Sequence, residues 1–284
     1  MKIKSQNIVS KGFIFIGAIA LLNSCEVDTT QTVTTFDNLV MSDEFNVDGA
    51  PDSNLWTYDI GDGTNEGLPA GWGNNELQYY TDRPENVTVE NGYLLITAQE
   101  ESFEGSSYTS ARIKTEGLFE QAYGRFEARI KVPYGQGYWP AFWLLGNDCD
   151  TNTWPACGEI DIMEYVGDEP TRVFGSAHGP GFSGGESISK DFVLENARFD
   201  TEFHVFGIEW SPDYINYYVD DVLYQQITRE TIAEQTDGQG EWVFDGPFYI
   251  ILNVAIGGDL PGSPNSETVF PQTMLVDYVR VYQE

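Results

Sequence analysis

Gly124-Arg125-Phe126-Glu127-Ala128-Arg129-Ile130-Lys131-Val132 alternates apolar and charged residues without a break. A period of two belongs to a β-strand with one buried and one wet face, not to a helix. Similar strand-like runs, rich in β-branched and aromatic residues, occupy 93–98, 203–210, 214–219 and 275–282. Turn signals separate them: Glu90-Asn91-Gly92, Pro133-Tyr134-Gly135, Ser211-Pro212-Asp213 and Asp245-Gly246-Pro247. Only 228–235 reads as a short helix. Many short strands without interleaved helices predict an all-β sandwich, and at this length a jelly roll of two curved antiparallel sheets. No second linker or internal repeat is visible, so one domain from about 38 to 284 is expected.

The 284 residues hold 14 Lys+Arg against 45 Asp+Glu, a formal charge of −31. Such a chain repels nucleic acid, whose binding rests on Lys and Arg neutralising phosphates, and disfavours an anionic membrane surface. With 41% hydrophobic and 14% aromatic residues it can bury a core, which argues against disorder. The charge is uneven. Residues 1–24 contain Lys2, Lys4 and Lys11 and no acid, so leaving them out takes −31 to −34.

Those lysines precede an apolar run, 13–22, with the length of a signal-peptide core and too short to span a bilayer. The run ends Leu22-Asn23-Ser24-Cys25, which resembles the lipobox of bacterial lipoproteins. We therefore expect a signal peptide over 1–24, lipidation of Cys25, a polar tether over 25–37, and an exported protein anchored to a bacterial membrane, in which the outer membrane is one option. An ordinary secretory signal with a chance cysteine is the competing reading. Setting Cys25 aside leaves Cys149 and Cys157, an even pair in an exported chain, eight apart in a polar loop. A disulfide between them is expected.

The stretch Gly158-Glu159-Ile160-Asp161-Ile162-Met163-Glu164-Tyr165 carries the chemistry. In a strand Glu159 and Asp161 share one face while Ile160 and Ile162 face the core. Glu164, five positions from Glu159, breaks parity and would point inward. A one-residue bulge near Ile162-Met163 would return it to the acidic face. With the bulge absorbed, the two glutamates are about four strand steps apart, roughly 13 Å between Cα atoms, a gap their side chains can largely close. Retaining glycosidases hold two carboxyl groups roughly 5–5.5 Å apart, one as nucleophile and one as acid/base. Asp161 between them adds like charge, which raises at least one pKa. A solvated acidic face and a calcium site are the rival readings. Trp72, Trp139, Trp143 and Trp154, near turn glycines, tip the balance, because sugar rings stack on aromatic faces.

These residues resemble glycoside hydrolase family 16, and within it the laminarinase-like endo-β-1,3-glucanases. Glu159-Ile160-Asp161-Ile162-Met163-Glu164 is similar to the family's E-x-D-x-x-E signature in its bulged form. The likeness extends over Trp72-Gly73-Asn74-Asn75-Glu76-Leu77-Gln78-Tyr79-Tyr80, Tyr108-Thr109-Ser110-Ala111-Arg112, Gly137-Tyr138-Trp139-Pro140-Ala141-Phe142-Trp143, Phe174-Gly175-Ser176-Ala177-His178, 251–258 and 276–282. It implies a cleft across the concave sheet, Glu159 as nucleophile, Glu164 as acid/base and Asp161 tuning Glu159. It also implies sugar contacts from Trp72, Asn75, Glu76, Gln78, Arg112, Trp139, Trp143 and Asn253, and His178 beside Glu164. His178 could instead be a packed strand histidine. A structural calcium is implied at Glu44, the Gly92 backbone and Asp277, with no cofactor for catalysis. The expected partner is a β-glucan, the expected state a monomer. Hydrolysis of mixed-linkage glucan or an agar-type galactan, and non-catalytic glycan binding, are the alternatives.

Overall fold

The structure, a computed structural model, describes residues 35–284. The expected signal peptide, Cys25 and most of the tether lie outside the described residues. Among the described residues no helix is long and apolar enough to cross a membrane.

Two sheets stack face to face. The first runs Val222–Thr228, Tyr214–Val219, His204–Trp210, Gly124–Lys131, Gln272–Gln283, Tyr93–Phe103, Ser106–Ser110 and Gln78–Tyr80, with Asn38–Asp43 and Val87–Glu90 branching from it. The second runs Ile188–Val193, Arg172–His178, Glu159–Tyr165, Tyr138–Gly146, Phe248–Ile256, Arg112–Lys114 and Thr57–Asp59, with Glu120–Gln121 branching. Pairing is antiparallel throughout except between Gln78–Tyr80 and Ser106–Ser110, which run parallel. The expected all-β jelly roll is thus present with one mixed edge. The short helix is Arg229–Gln235, started by the Thr228 side chain accepting from the Thr231 amide.

The alternation fixes which residues meet between the sheets. Phe126, Ala128 and Ile130 from the first sheet and Phe142, Leu144, Ile160, Ile162, Ile250, Leu252 and Val254 from the second are all buried to 2% exposure or less. Burying one such side chain fully contributes about 1.5–3 kcal/mol, so these strands cannot slip by a residue without exposing the core. Phe248–Ile256 is buried at all nine positions, because its outer face is covered as well, and that covering is where the site forms.

Cys149 and Cys157 form a disulfide with Cα atoms 5.0 Å apart, as expected. The residues expected to hold calcium are placed differently from a cage. Glu44 takes a two-armed ion pair from Arg280, 2.8 Å on each oxygen, and Asp277 pairs with Arg129 at 2.6 Å. Gly92 sits in the turn after Val87–Glu90 with φ of 83°. A cation on the Glu44 side chain would have to displace Arg280, whereas Asp277 keeps Oδ1 outside its pair with Arg129.

Candidate active site

The strand Glu159–Tyr165 lies between Tyr138–Gly146 and Arg172–His178. Its bulge is real: Asp161 and Glu164 are three residues apart, yet their partners Ser176 and Phe174 are only two apart. The same shift appears against the other neighbour, where Phe142 faces Met163 and Trp143 faces Asp161. Ile160, Ile162 and Met163 go into the core, while Glu159 and Glu164 keep partial exposure on the opposite face. Without the bulge Glu164 would be driven among the apolar residues.

Register then draws a line across the sheet. Glu164 faces Ala141, Ala141 faces Asn253, Asn253 faces Arg112, and Arg112 faces Asp59. Residues on one such row point to the same side, so side chains from five strands share one groove. A hollow of about 440 Å³ at the sheet edge, lined by residues such as Ser189, Lys190 and Tyr224, contains none of the three acids.

Three indoles organise the groove. Trp139 Nε1 donates to Glu164 Oε1 at 3.1 Å, and Trp154 Nε1 donates to Glu159 Oε2 at 2.8 Å. Trp143 Nε1 donates to Asn253 Oδ1 at 2.8 Å; Asn253 Nδ2 donates to the Tyr80 hydroxyl at 3.1 Å, and that hydroxyl to Glu76 Oε2 at 3.3 Å. Each donor in this chain passes its proton the same way, so the orientation of Trp143 is set by Glu76. Glu76 also accepts from Gln78 Nε2 at 2.6 Å and Asn74 Nδ2 at 3.2 Å. Burial lifts the Glu76 carboxyl above the usual range, while Arg112 and these donors oppose the rise.

Arg112 is packed between two rings, 4.9 Å from Trp72 and 4.6 Å from Trp143, and its Nε lies 2.9 Å from Asp59. Trp72 therefore supports Arg112 from beneath: it is 6% exposed and its ring does not face the groove openly. Gln78, at 1% exposure, spends its side-chain oxygen on the Ile256 amide. These two expected sugar contacts are structural supports. Asn75 is exposed and donates to Asp259 at 2.9 Å, tying its loop to the turn at Gly257-Gly258. Gly258, with φ of 102°, lets that turn lie against Trp139, whose ring would be 3.3 Å from an added Cβ.

His178 faces Glu159 across the strands, and its Nε2 lies 3.0 Å from Asp161 Oδ2 and 3.8 Å from Glu159 Oε1. The expectation that it sits beside Glu164 is corrected: register sets it against Glu159 and Asp161. Ser176 occupies the place next to Glu164, its hydroxyl donating to Oε2 at 3.3 Å. The Gly184 amide donates to His178 Nδ1 at 3.1 Å, which leaves the ring's proton on Nε2, the nitrogen 3.0 Å from Asp161 Oδ2. Asp161, Glu159 and Glu164 carry the histidine up to about 9 against the cost of burial, but taking the second proton requires Nδ1 to give up the Gly184 amide. Donor atoms of Glu159, Asp161 and His178 lie within 4.8 Å of one another. With its proton on Nε2 the histidine turns no lone pair toward the two carboxylates, so the trio is a cluster of interacting charges rather than a set of metal ligands.

The electrostatics separate the acids. Asp161 is pushed well above the carboxylate range by burial, then by Glu159 and Glu164. Glu164 is raised by burial and by Glu159, against His178, Trp139 and Ser176. A carboxyl raised in this way holds a proton that it can deliver.

Ser176, Tyr80 and Asp59 were not singled out by sequence reasoning, and Trp154 entered it only as one aromatic among four. For Trp154 the signal was present, since it stands five residues before Glu159 inside the cysteine loop.

Residues 74–279 match the family model described as glycosyl hydrolases family 16. Over 249 residues the chain is 42% identical to a Beta-glucanase of Rhodothermus marinus, covering 86% of this chain and 85% of that one. Among solved structures, the catalytic domain of an endo-1,3-beta-glucanase (laminarinase) from Thermotoga petrophila RKU-1 matches at 50% identity and a TM-score of 0.83, covering 89% of this chain and 99% of that one. An endo-beta-1,3-glucanase from Pyrococcus furiosus matches at 47% identity and a TM-score of 0.81, covering 86% and 94%. With its bulged acidic strand, its jelly roll and a family match across most of its length, the chain belongs to glycosyl hydrolase family 16.

Proposed function

We propose that the protein is a retaining endo-1,3-β-glucanase that cuts laminarin-like glucan by double displacement. The observation that carries the reading is the bulge, which sets Glu159, Asp161 and Glu164 on one face, where each glutamate accepts from an indole of its own. Solved structures described as an endo-1,3-beta-glucanase (laminarinase) and an endo-beta-1,3-glucanase support β-1,3-glucan as the substrate.

In the first step a Glu159 oxygen bonds to the anomeric carbon as the glycosidic C–O bond breaks. The electron pair leaves with the aglycone oxygen, which takes the Glu164 proton. Water then attacks the anomeric carbon, Glu164 takes its proton, and the bond to Glu159 breaks. The raised Glu164 carboxyl supplies the acid of the first step. Asp161, with the Nε2 proton of His178 beside it, keeps the charge next to Glu159 divided between two groups. Trp139 and Trp143 supply stacking faces, and Arg112 and Asn253 line the same row as the acid.

Wild type, Glu159→Gln and Glu164→Gln incubated with laminarin, lichenan and agar, with product sizes followed, test the reading. Short laminarin oligomers from wild type and loss in both variants are expected. Full activity of Glu159→Gln overturns the mechanism, and cleavage of agar alone overturns the substrate. The lipid-anchored, exported location is proposed with it, on the support of Lys2, Lys4, Lys11, the apolar run and Cys25. Mass spectrometry of a membrane-fraction preparation would find the chain beginning at a diacylated Cys25; a chain that keeps residues 1–24 contradicts it.

A further inference from the structure

The loop between Gly146 and Glu159 bears on Glu159 at one point only among the described residues: Trp154 Nε1 donates to Oε2 at 2.8 Å. The glutamate's other oxygen lies 3.8 Å from His178 Nε2, beyond hydrogen-bond distance. Beyond the indole's bond, the Trp154 ring lies 6.0 Å from the His178 ring, and at the loop's start Asn147 donates to the Pro247 carbonyl at 3.1 Å and to Glu120 Oε2 at 2.7 Å. From Asp148 on, the loop's backbone hydrogen bonds are local turns, Thr151 and Asn152 amides to the Asp148 carbonyl, Ala156 to Thr153 and Gly158 to Pro155. Trp154 is 43% exposed, so it is not fixed by packing on all sides.

What ties the loop down is its base. Cys157 is buried at the foot of the acidic strand and bonds to Cys149, just past the end of Tyr138–Gly146. Gly146 packs so tightly against this base that an added Cβ would collide with the Cys157 carbonyl.

We propose that the disulfide-closed loop 149–157 is a positioning device for the nucleophile, acting through the indole N–H of Trp154. The proposal rests on Glu159 being the nucleophile. The N–H selects one carboxylate rotamer and remains on the same oxygen when the other bonds to the sugar. It stabilises the carboxylate again as that bond breaks, since a hydrogen bond to a charged group is stronger than one to a neutral ester oxygen. Trp154 is thus a positioning residue, and the disulfide sets how often it is in place.

Trp154→Phe keeps an aromatic face and removes the donor; Trp154→3-benzothienylalanine does so with the ring shape intact. Each is expected to lower kcat on laminarin roughly tenfold or more without raising KM. In a Cys149→Ala/Cys157→Ala background kcat is already low, and Trp154→Phe costs less than about a further twofold, since both changes break one device. An unchanged kcat, a rise in KM alone, or losses that multiply independently would overturn the proposal. The benzothienylalanine variant keeps it testable if the cysteine-free chain does not fold. Glu159→Gly with sodium azide separates the two claims. Turnover restored as an α-glycosyl azide confirms the nucleophile whatever Trp154 does, and absence of rescue removes that premise instead.

Discussion

The strands Gly124–Lys131 and Glu159–Tyr165 both set apolar residues on the core and ionisable residues on the other face, and they differ in how that charge is met. On the first, Arg125 reaches Glu127 at 2.8 Å, Glu209 at 3.3 Å and Asp221 at 2.6 Å, while Arg129 reaches Asp277 at 2.6 Å. Sign alternates along and across the strands, so the face is neutralised where it stands. On the second, three acids stand together, and among the described residues the one basic group within 4 Å of them is His178. Isolated surface pairs contribute little to stability, whereas crowded buried acids work against it and hold protons that isolated acids would release. The first face is a means of staying soluble and paired; the second keeps electrostatic strain in place because the chemistry uses it.

The contrast is sharpest in activity. Glu159→Gln is expected to lower kcat on laminarin by roughly 10⁴-fold or more, and Glu164→Gln by about 10²–10⁴-fold, with both chains folded by circular dichroism. Neutralising Arg125 should leave turnover within about twofold.

Trp139→Phe comes next. It removes a donor that favours ionised Glu164. The carboxyl then holds its proton to higher pH, so the basic limb of the kcat/KM profile moves up while the rate at the optimum falls roughly tenfold. A basic limb that stays in place or moves down would separate Glu164 from the acid role.

Stability reverses the order of the two faces. The folded-state pKa of Asp161 is raised, so the folding free energy it contributes is fully present below about pH 4 and is lost as pH rises through the raised value. Asp161→Asn avoids that loss. Denaturant unfolding at neutral pH should find the variant more stable by on the order of 1 kcal/mol, with the gain vanishing below about pH 4. Arg129→Met, on the paired face, should cost less than about 1 kcal/mol and nothing measurable in 1 M salt, because its ion pair is over a third exposed on one side.

How much of this was legible depended on whether a feature was local. Period two identified the strands, and a parity violation at Glu164 was enough to place the bulge before any partner strand was known. The spacing of Cys149 and Cys157 was readable for the same reason. His178 was misplaced because its neighbour depends on the register between Glu159–Tyr165 and Arg172–His178, which two short strands do not encode alone. Trp72 and Gln78 read as sugar contacts since aromatic and amide side chains suit that use. Their burial follows from packing against Arg112 and the Ile256 amide, residues 40 or more positions away that only the folded sheet brings near. The indole of Trp154 lay within five residues of Glu159, but a loop's backbone path, not its composition, decides where such a ring points.

Retention of configuration tests the central claim most directly, since it follows from one glutamate acting as nucleophile and the other as acid. Proton NMR of a laminarin digest in its first minutes, before mutarotation, resolves the new anomeric signal. The β-anomer appearing first, with the α-anomer growing in later, is the predicted result; the α-anomer appearing first would contradict the double displacement through Glu159.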